Sequence, residues 1–523
     1  MRKINTTFIG LLLSLSTSGM AQAWEGAAHA EKLDLGKGIS YRAEASVMQS
    51  IGHTPLWMNA NKHGLSSLES SNGFLRGALI RPLSVDSARK WGVGYGVDAA
   101  VAYGFTSKLI VQQAFAQLRW LHGTLTVGSK EHDMELKNNR LSSGAQALGI
   151  NARPVPQVRL ALADYWTLPF GKGWLHLKGH IAYGQMTDDN WQHEFTSQKT
   201  KYADKVLFHS KAGYFKIGNE ERFMPLSLEL GLEMASTFGG TAYRPLGDGT
   251  METVVGRTGL KAMWQAFLPG GGEVVEAGTA FQNAEGNQLG AWMARVNYDA
   301  DDWRLGLYAE KYFEDHSSML QLDYDGYGSG ENWNVKEKRK FFVYDLKDWL
   351  LGFELNFKRR NWLRELVFEY VYSKYQSGPV YHDHNATRND HISGRDNYYN
   401  HYIYTGWQHW GQVMGNPLYR SPLYNDNGVI DIQNSRFVAF HLGLSGEPTE
   451  RLGYRLLTTY QNGWGTYDLP YNKKKSNLSV MLEAVYRLEN GWSFTGVYGM
   501  DNGRILGNNY GFGIKVSKRG IFK

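Results

Sequence analysis

From about residue 90 onward, apolar and polar positions alternate along the chain with a period of two. In "GVGYGVDAAVAYG" (92–104), Val93, Tyr95, Val97, Ala99, Val101 and Tyr103 fall on one side, with Gly94, Gly96 and Asp98 on the other. Leu175, Leu177, Ile181 and Tyr183 oppose His176, Lys178, His180 and Gly184 in the same way. So do Trp303, Leu305, Leu307 and Ala309 against Arg304, Gly306, Tyr308 and Glu310. Near the end, Leu478, Val480, Leu482, Ala484, Tyr486 and Leu488 oppose Ser479, Glu483 and Arg487, and Tyr510, Phe512, Ile514 and Val516 repeat the pattern. A period of two predicts β-strands, each with one apolar face and one polar or glycine face.

Such a sheet separates two environments, as in a β-sandwich or a membrane barrel. The segments run to about 9–11 residues, the length that crosses a bilayer at a tilt. Their second face carries Lys, Arg, Glu and His, which a polar lumen accepts and a dry sandwich core does not. Tyr and Trp stand near segment ends, at Trp303, Tyr370, Tyr372 and Trp492, where an interfacial belt would lie. The expectation is an all-β transmembrane outer-membrane barrel, with a soluble β-rich exported protein as the alternative. "HTPLWMNANKHGLSSL" (53–68) breaks the alternation and suits a short helix or a cap on one end.

Composition sharpens this picture. The chain has 60 Gly, 31 Tyr, 17 Trp and 23 Phe among 523 residues, with a mean hydropathy of −0.43. Long Ala/Leu/Glu/Lys helical stretches are largely missing, and no apolar run after the amino-terminal segment is long enough for a spanning helix. That segment reads as a secretory signal over residues 1–23: basic Arg2 and Lys3, apolar 8–16, and Ala21-Gln22-Ala23 for cleavage. Residues 24–523 read as one barrel domain, localised to the outer membrane. With no cysteine, disulfides and thiolate metal sites are excluded. The +6 net charge mixes 56 basic with 50 acidic residues, and export argues further against nucleic acid as a partner. Outer-membrane lipid is the expected surround.

Long inter-strand stretches at 131–156, 188–205, 317–339 and, longest, 376–434 predict extracellular loops. The last opens on His382, His384 and His391 with Asp383 and Asp390. His-x-His on an extended strand points two imidazoles one way, but the spacing is weak evidence for zinc, and no metal or cofactor is expected. Paired carboxylates for glycoside hydrolysis could come from Asp383, Asp390, Asp396, Glu314 and Asp315. Acidic loop residues are more often solvated, and no catalytic residue is assigned. "GDGTMETVVGRTG" (247–259) has no P-loop lysine, so no nucleotide site is expected. Tyr398, Tyr399, Tyr402, Tyr404, Trp407 and Trp410 could stack on pyranose rings, while Arg388, Arg395, Asp396 and Asn400 take hydroxyls. These aromatics could equally pack the loops onto one another.

Several stretches match one family. "TPLWMNANKHG" (54–64), "LSSGAQALGINARPVPQVRL" (141–160), "EGNQLG" (285–290), "YFEDHS" (312–317), "YQSGP" (375–379), "SGRDNYYN" (393–400), "GNPL" (415–418) and "WGTYDLP" (464–470) occur in order. Together they resemble the capsule assembly Wzi family in its Bacteroidetes-type form. The resemblance implies an outer-membrane barrel of about 18 strands with long extracellular loops and a small helical plug element. It implies a non-enzymatic, lectin-like role: binding exported capsular or surface polysaccharide and helping to attach and organise the capsule, with the capsule export machinery as a further partner. The glycan-facing candidates are Arg388, Arg395, Asp396, Tyr398, Tyr399, Asn400 and Trp407. Asn151 and Arg153 would instead tie a loop into the lumen. The alternative function is an outer-membrane pore or transporter for saccharides or other small polar solutes.

Overall fold

The computed structural model describes residues 33–219, 222, 224–268, 286–314, 325–328, 330–338, 347–359, 362–381, 386–387, 391–394 and 396–522. The signal segment 1–23, Arg388, Arg395, His382 and His384 lie outside them. Residues 38–522 form one unit.

Eighteen strands make a single sheet. They are β1 (Ser40–Ile51), β2 (Ser71–Arg81), β3 (Trp91–Tyr103), β4 (Leu109–Trp120), β5 (Gly123–Ser129) and β6 (Gln157–Thr167). β7 (Leu175–Gln185), β8 (Leu207–Ile217), β9 (Leu226–Phe238), β10 (Asn287–Asp299), β11 (Trp303–Glu314) and β12 (Trp349–Phe357) follow. β13 (Glu365–Tyr372), β14 (Phe437–Gly446), β15 (Leu452–Gly465), β16 (Pro470–Arg487), β17 (Trp492–Gly503) and β18 (Asn509–Ile521) complete the series. Each strand pairs antiparallel with the next, and β1 pairs with β18, Val47 opposite Ile514, so the barrel is closed. Closure leaves no unpaired edge, the condition a sheet must meet to stand in hydrocarbon.

The alternation read from sequence sets the two faces. On β3, Asp98, Ala100 and Ala102 are buried inside while Val97, Val101 and Tyr103 are exposed outside. β16 and β18 repeat this with Leu482, Phe512 and Ile514 outside. An apolar outer surface on a closed barrel is the lipid-facing band, and the protein is a transmembrane β-barrel of the outer membrane. Aromatic pairs mark its rim: Trp91 with Trp120 at 6.0 Å and Tyr298 with Trp303 at 5.5 Å between ring centroids. β1 and β2 precede the region where alternation was legible. Their outward positions include Ala43, Ala45 and Gly77, too small to give a strong periodic signal.

The two ends differ. One carries short turns at 82–90, 121–122, 168–174, 218–225, 300–302, 358–364, 447–451 and 488–491. The other carries the loops, including 52–70, 130–156, 186–206, 239–286 and 373–436. Short turns are periplasmic and long loops extracellular. Among the described residues three α-helices lie within these loops: α1 (Leu56–Asn59), α2 (Trp191–Thr196) and α3 (Leu260–Phe267).

Barrels of 16–18 strands enclose an aqueous channel unless something fills them. Here loops 52–70, 130–156 and 396–436 fold inward. Leu56, Trp57, Met58, Leu141, Tyr399, Trp407 and Tyr419 join wall residues such as Leu350, Val367 and Ala439 in one buried apolar cluster. The non-strand segment 53–68 thus supplies α1 as part of a plug.

Candidate functional site

The plug is held by side chains that the sheet projects inward. α1 settles where the wall lacks side chains: a Cβ at Gly499 would stand 2.8 Å from Met58, and one at Gly511 2.8 Å from Pro55. Asp501 accepts the Leu56 N–H at 3.1 Å, and Trp57 Nε1 donates to Thr459 Oγ1 at 3.1 Å. His441 bridges Thr459 and the Leu141 carbonyl, each at 2.7 Å.

Three wall carboxylates then hold one backbone stretch. Glu369 on β13 accepts the Ser143 N–H at 2.7 Å, Glu310 on β11 that of Gln146 at 2.8 Å, and Glu233 on β9 that of Leu148 at 3.3 Å. A loop inserted into a barrel exposes unpaired amides, and carboxyl oxygens are good acceptors for them. Lys137 lies 2.8 Å from Glu310, so that charge is paired within the plug.

Loop 396–436 closes over this layer. The Tyr399 hydroxyl donates to the Gln146 carbonyl and accepts the Asn416 N–H at 2.9 Å. Its ring stacks on Tyr419 at 3.9 Å, and burial holds the phenol well above its ordinary pKa. Tyr398 meets Tyr312 edge-on at 4.7 Å. Trp407 stacks on Phe208 at 5.9 Å and donates to the Ala147 carbonyl at 2.9 Å. These three side chains are wholly buried, so they offer no ring face to a surface glycan; of the two roles open to them, they pack the loops. Asn400 exchanges hydrogen bonds with the backbone of Ile432, at 3.0 and 2.8 Å. Asp396, half-buried, accepts the Asn397 N–H at 2.9 Å. Glu314, a candidate carboxylate for hydrolysis, is buried and accepts the Tyr399 N–H at 2.5 Å. Among the described residues no cluster of three His, Asp or Glu side chains is placed to hold a metal.

Asn151 and Arg153 do tie a loop into the lumen. Asn151 accepts the Asn61 N–H at 3.0 Å and donates to the Val413 carbonyl at 3.0 Å, joining all three plug loops. The Arg153 guanidinium lies 4.1 Å from the Trp410 ring centroid and donates to Thr106 at 2.9 Å. Burial pushes its pKa down to about 10.

Below the plug the lumen is open to the short-turn end as a vestibule of about 1160 Å³. Its lining carries paired charges: Arg42, which reaches buried Asp98 at 2.6 Å, and Arg295 with Glu354 at 2.8 Å. It narrows to a cavity of about 110 Å³ beside Arg153, Arg159, His180 and Trp407. His132, from loop 130–156, lines both spaces; burial, and then Arg159 and Lys130, hold its pKa well down.

At the outer end, Tyr402 is 78% exposed, with the Arg244 guanidinium 4.0 Å from its centroid. Tyr202 and Tyr243 stack at 4.6 Å on the small sheet 202–204, 241–245 and 251–255. This sheet was not anticipated from sequence, because its strands are too short to show a period.

No family model and no curated protein matches the chain. Similar solved structures include OprD of Pseudomonas aeruginosa, at 9% identity over 95% of this chain and 98% of that one, with a TM-score of 0.43. OccD3 (OpdP) of Pseudomonas aeruginosa is similar at 10% identity over 95% and 94%, TM-score 0.44. OccAB4 of Acinetobacter baumannii is similar at 8% identity over 93% and 98%, TM-score 0.43.

Proposed function

We propose that the protein is a plugged outer-membrane barrel that holds an exported capsular or surface polysaccharide at the cell surface through its extracellular loops, without catalysing a reaction. One observation carries the reading: the outer half of the lumen is filled by a packed, hydrogen-bonded plug in which Trp57, Tyr399 and Trp407 are wholly buried. A barrel stoppered in this way suits display and attachment better than diffusion. The resemblance of the 54–64, 141–160 and 393–400 segments to Wzi proteins supports the same role. The sugar-facing chemistry moves outward from the buried tyrosines to exposed Tyr402 beside Arg244, with Arg388 and Arg395 retained as candidates.

Binding of the native strain's purified surface polysaccharide to the detergent-solubilised protein tests this. Tyr402→Ala and Arg395→Ala should weaken binding. No binding by the wild-type protein defeats the reading, and binding untouched by either change defeats only the site.

A second reading has its own observation. The charged vestibule of about 1160 Å³ narrowing to about 110 Å³ is the form of a selective entry for small polar solutes. A sustained single-channel current in a planar bilayer would favour that reading over the first.

A further inference from the structure

The narrow end of the vestibule holds two cations that neither functional reading uses. Arg159 lies on β6 between exposed, lipid-facing Val158 and Leu160, so its own side chain points into the lumen. Its ladder neighbours, Thr126 on β5 and Ala182 on β7, are small and neutral. Lys130 follows directly on β5, where the chain leaves the wall for the plug, and its ammonium stands 5.4 Å from the ring centroid of Phe115. Arg159 lines the cavity of about 110 Å³, and Lys130 lines both that cavity and the vestibule of about 1160 Å³.

Neither cation is neutralised in place. Among the described residues, the Arg159 guanidinium and the Lys130 ammonium make no hydrogen bond and no ion pair. The carboxylates that share the cavity are engaged elsewhere or turned to solvent. Glu135 takes Lys178 at 2.8 Å, Glu233 accepts the Tyr214 hydroxyl at 2.6 Å, and Asp133 is exposed. Both cations are half-buried, and their charged ends, unlike the enclosed Nε of Arg153, keep accessible surface. Burial, and then Arg159, lower the Lys130 pKa, so the two positive charges sense each other. Like charges facing one confined space repel, and an anion between them relieves that repulsion while taking up their free donors.

The remaining lining includes Val155, Phe208 and Met414, apolar groups that exclude bulk water and strengthen a charge contact made beside them. The cavity is small. Drug-sized ligands occupy pockets of about 300–1,000 Å³. A space of about 110 Å³ suits an ion or an acid of few atoms.

We propose that the narrow end of the vestibule is a binding site for a small oxyanion, a carboxylate or a phosphate, that enters from the periplasm and is held between the Arg159 guanidinium and the Lys130 ammonium. The planar guanidinium offers two parallel N–H groups to such an anion, and the ammonium adds a point charge at the mouth. The site lies on the periplasmic side of the plug. It therefore rests on neither functional reading and needs no path through the barrel.

Isothermal titration calorimetry of the detergent-solubilised full chain tests the proposal, with sodium phosphate, sodium propionate and uncharged propionamide as probes. Titrations in about 0.15 M NaCl screen loosely held surface ions. The wild-type protein should bind at least one of the two anions saturably, at one site per chain, and propionamide not at all. Whichever anion binds identifies the oxyanion. Arg159→Gln, checked for folding by heat-modifiable gel mobility, should cut affinity at least about tenfold, the worth of a charge-assisted hydrogen bond. Lys130→Gln, which lies outside the strand ladder, should weaken binding by a smaller factor. Propionamide bound as tightly as propionate, or no saturable binding of either anion, overturns the proposal without recourse to any variant. So does unchanged affinity in folded Arg159→Gln.

Discussion

The Ser143 backbone N–H points at the Glu369 carboxylate across 2.7 Å, a bond between a loop and a strand 226 residues apart. The same carboxylate accepts the Ser142 hydroxyl at 2.7 Å and the Tyr308 hydroxyl at 2.6 Å. Plug and wall are therefore joined by polar groups that cannot turn to water when separated. Glu369→Ala should destabilise plug docking by about 2–4 kcal/mol, since it leaves buried donors unmatched. Glu369→Gln, which keeps one acceptor oxygen, should cost less. The barrel closes through its own strand ladder, so folded gel mobility should persist while protease cleavage within 130–156 and current flicker rise. Unchanged protection in Glu369→Ala would show that this carboxylate does not hold the plug.

Gly499 and Met58 make the complementary relationship, in which the wall gives way to the plug. A side chain at 499 would meet the Met58 Cγ and Sδ, both at 2.8 Å. Gly499→Leu should expel α1 from its seat at a cost of about 1–3 kcal/mol for overpacking, and Trp57 fluorescence should shift to the red. The Trp57–Thr459 bond would be lost with it. Gly496, where an added Cβ meets nothing within 4 Å, is the control, and Gly496→Ala should leave the emission unchanged.

Much of the barrel was legible from sequence because a lipid-facing wall imposes a strict period of two. β3, β7, β11, β16 and β18 show it, with Val97, Ile181, Leu307, Leu482 and Phe512 outward. β1 and β2 were less legible because small side chains such as Ala43, Ala45 and Gly77 face the lipid there. The site was legible only in part. The lumen ties of Asn151 and Arg153 came from the family resemblance of 141–160 and not from any local pattern, and the structure places both residues against the plug loops. Tyr398, Tyr399 and Trp407 look in sequence like a sugar platform, since stacking on a sugar and stacking on another ring demand the same residues. Only their packing against Tyr312, Tyr419 and Phe208 shows which they do. α3 gave no signal because it spans only eight residues, too short a window for a helical period to be read.

Arg153 lines the narrow cavity under the plug, with its guanidinium against the Trp410 ring. Arg153→Ala removes that stack, worth about 0.5–2 kcal/mol, and clears volume beside the constriction. If the vestibule feeds a path past the plug, this variant should raise single-channel conductance over the wild-type protein. If the plug seals the lumen, conductance should stay at baseline while thermal stability falls slightly. The same pair of measurements thus separates the two functional readings.

His409 makes plug docking sensitive to acid. Its Nδ1 lies 2.8 Å from the Arg153 carbonyl, and its Nε2 accepts the Thr187 N–H at 3.2 Å, an acceptor role that only the neutral ring can fill. Burial lowers its pKa to about 4 from an ordinary 6.5. Between those values the undocked state binds more protons than the docked one, so docking weakens as pH falls through 6.5 and the loss is complete near 4. Above 6.5 the full stability is retained. The shift is worth on the order of 3 kcal/mol at the acid limit. Protease protection of loop 373–436 should therefore decline from pH 7 to pH 4.5 in the wild-type protein. His409→Gln, which preserves one donor and one acceptor without titrating, should flatten that decline. A residual slope from His401, whose pKa burial lowers to about 3, would have the same sign. An identical pH profile in His409→Gln would remove this histidine as the cause.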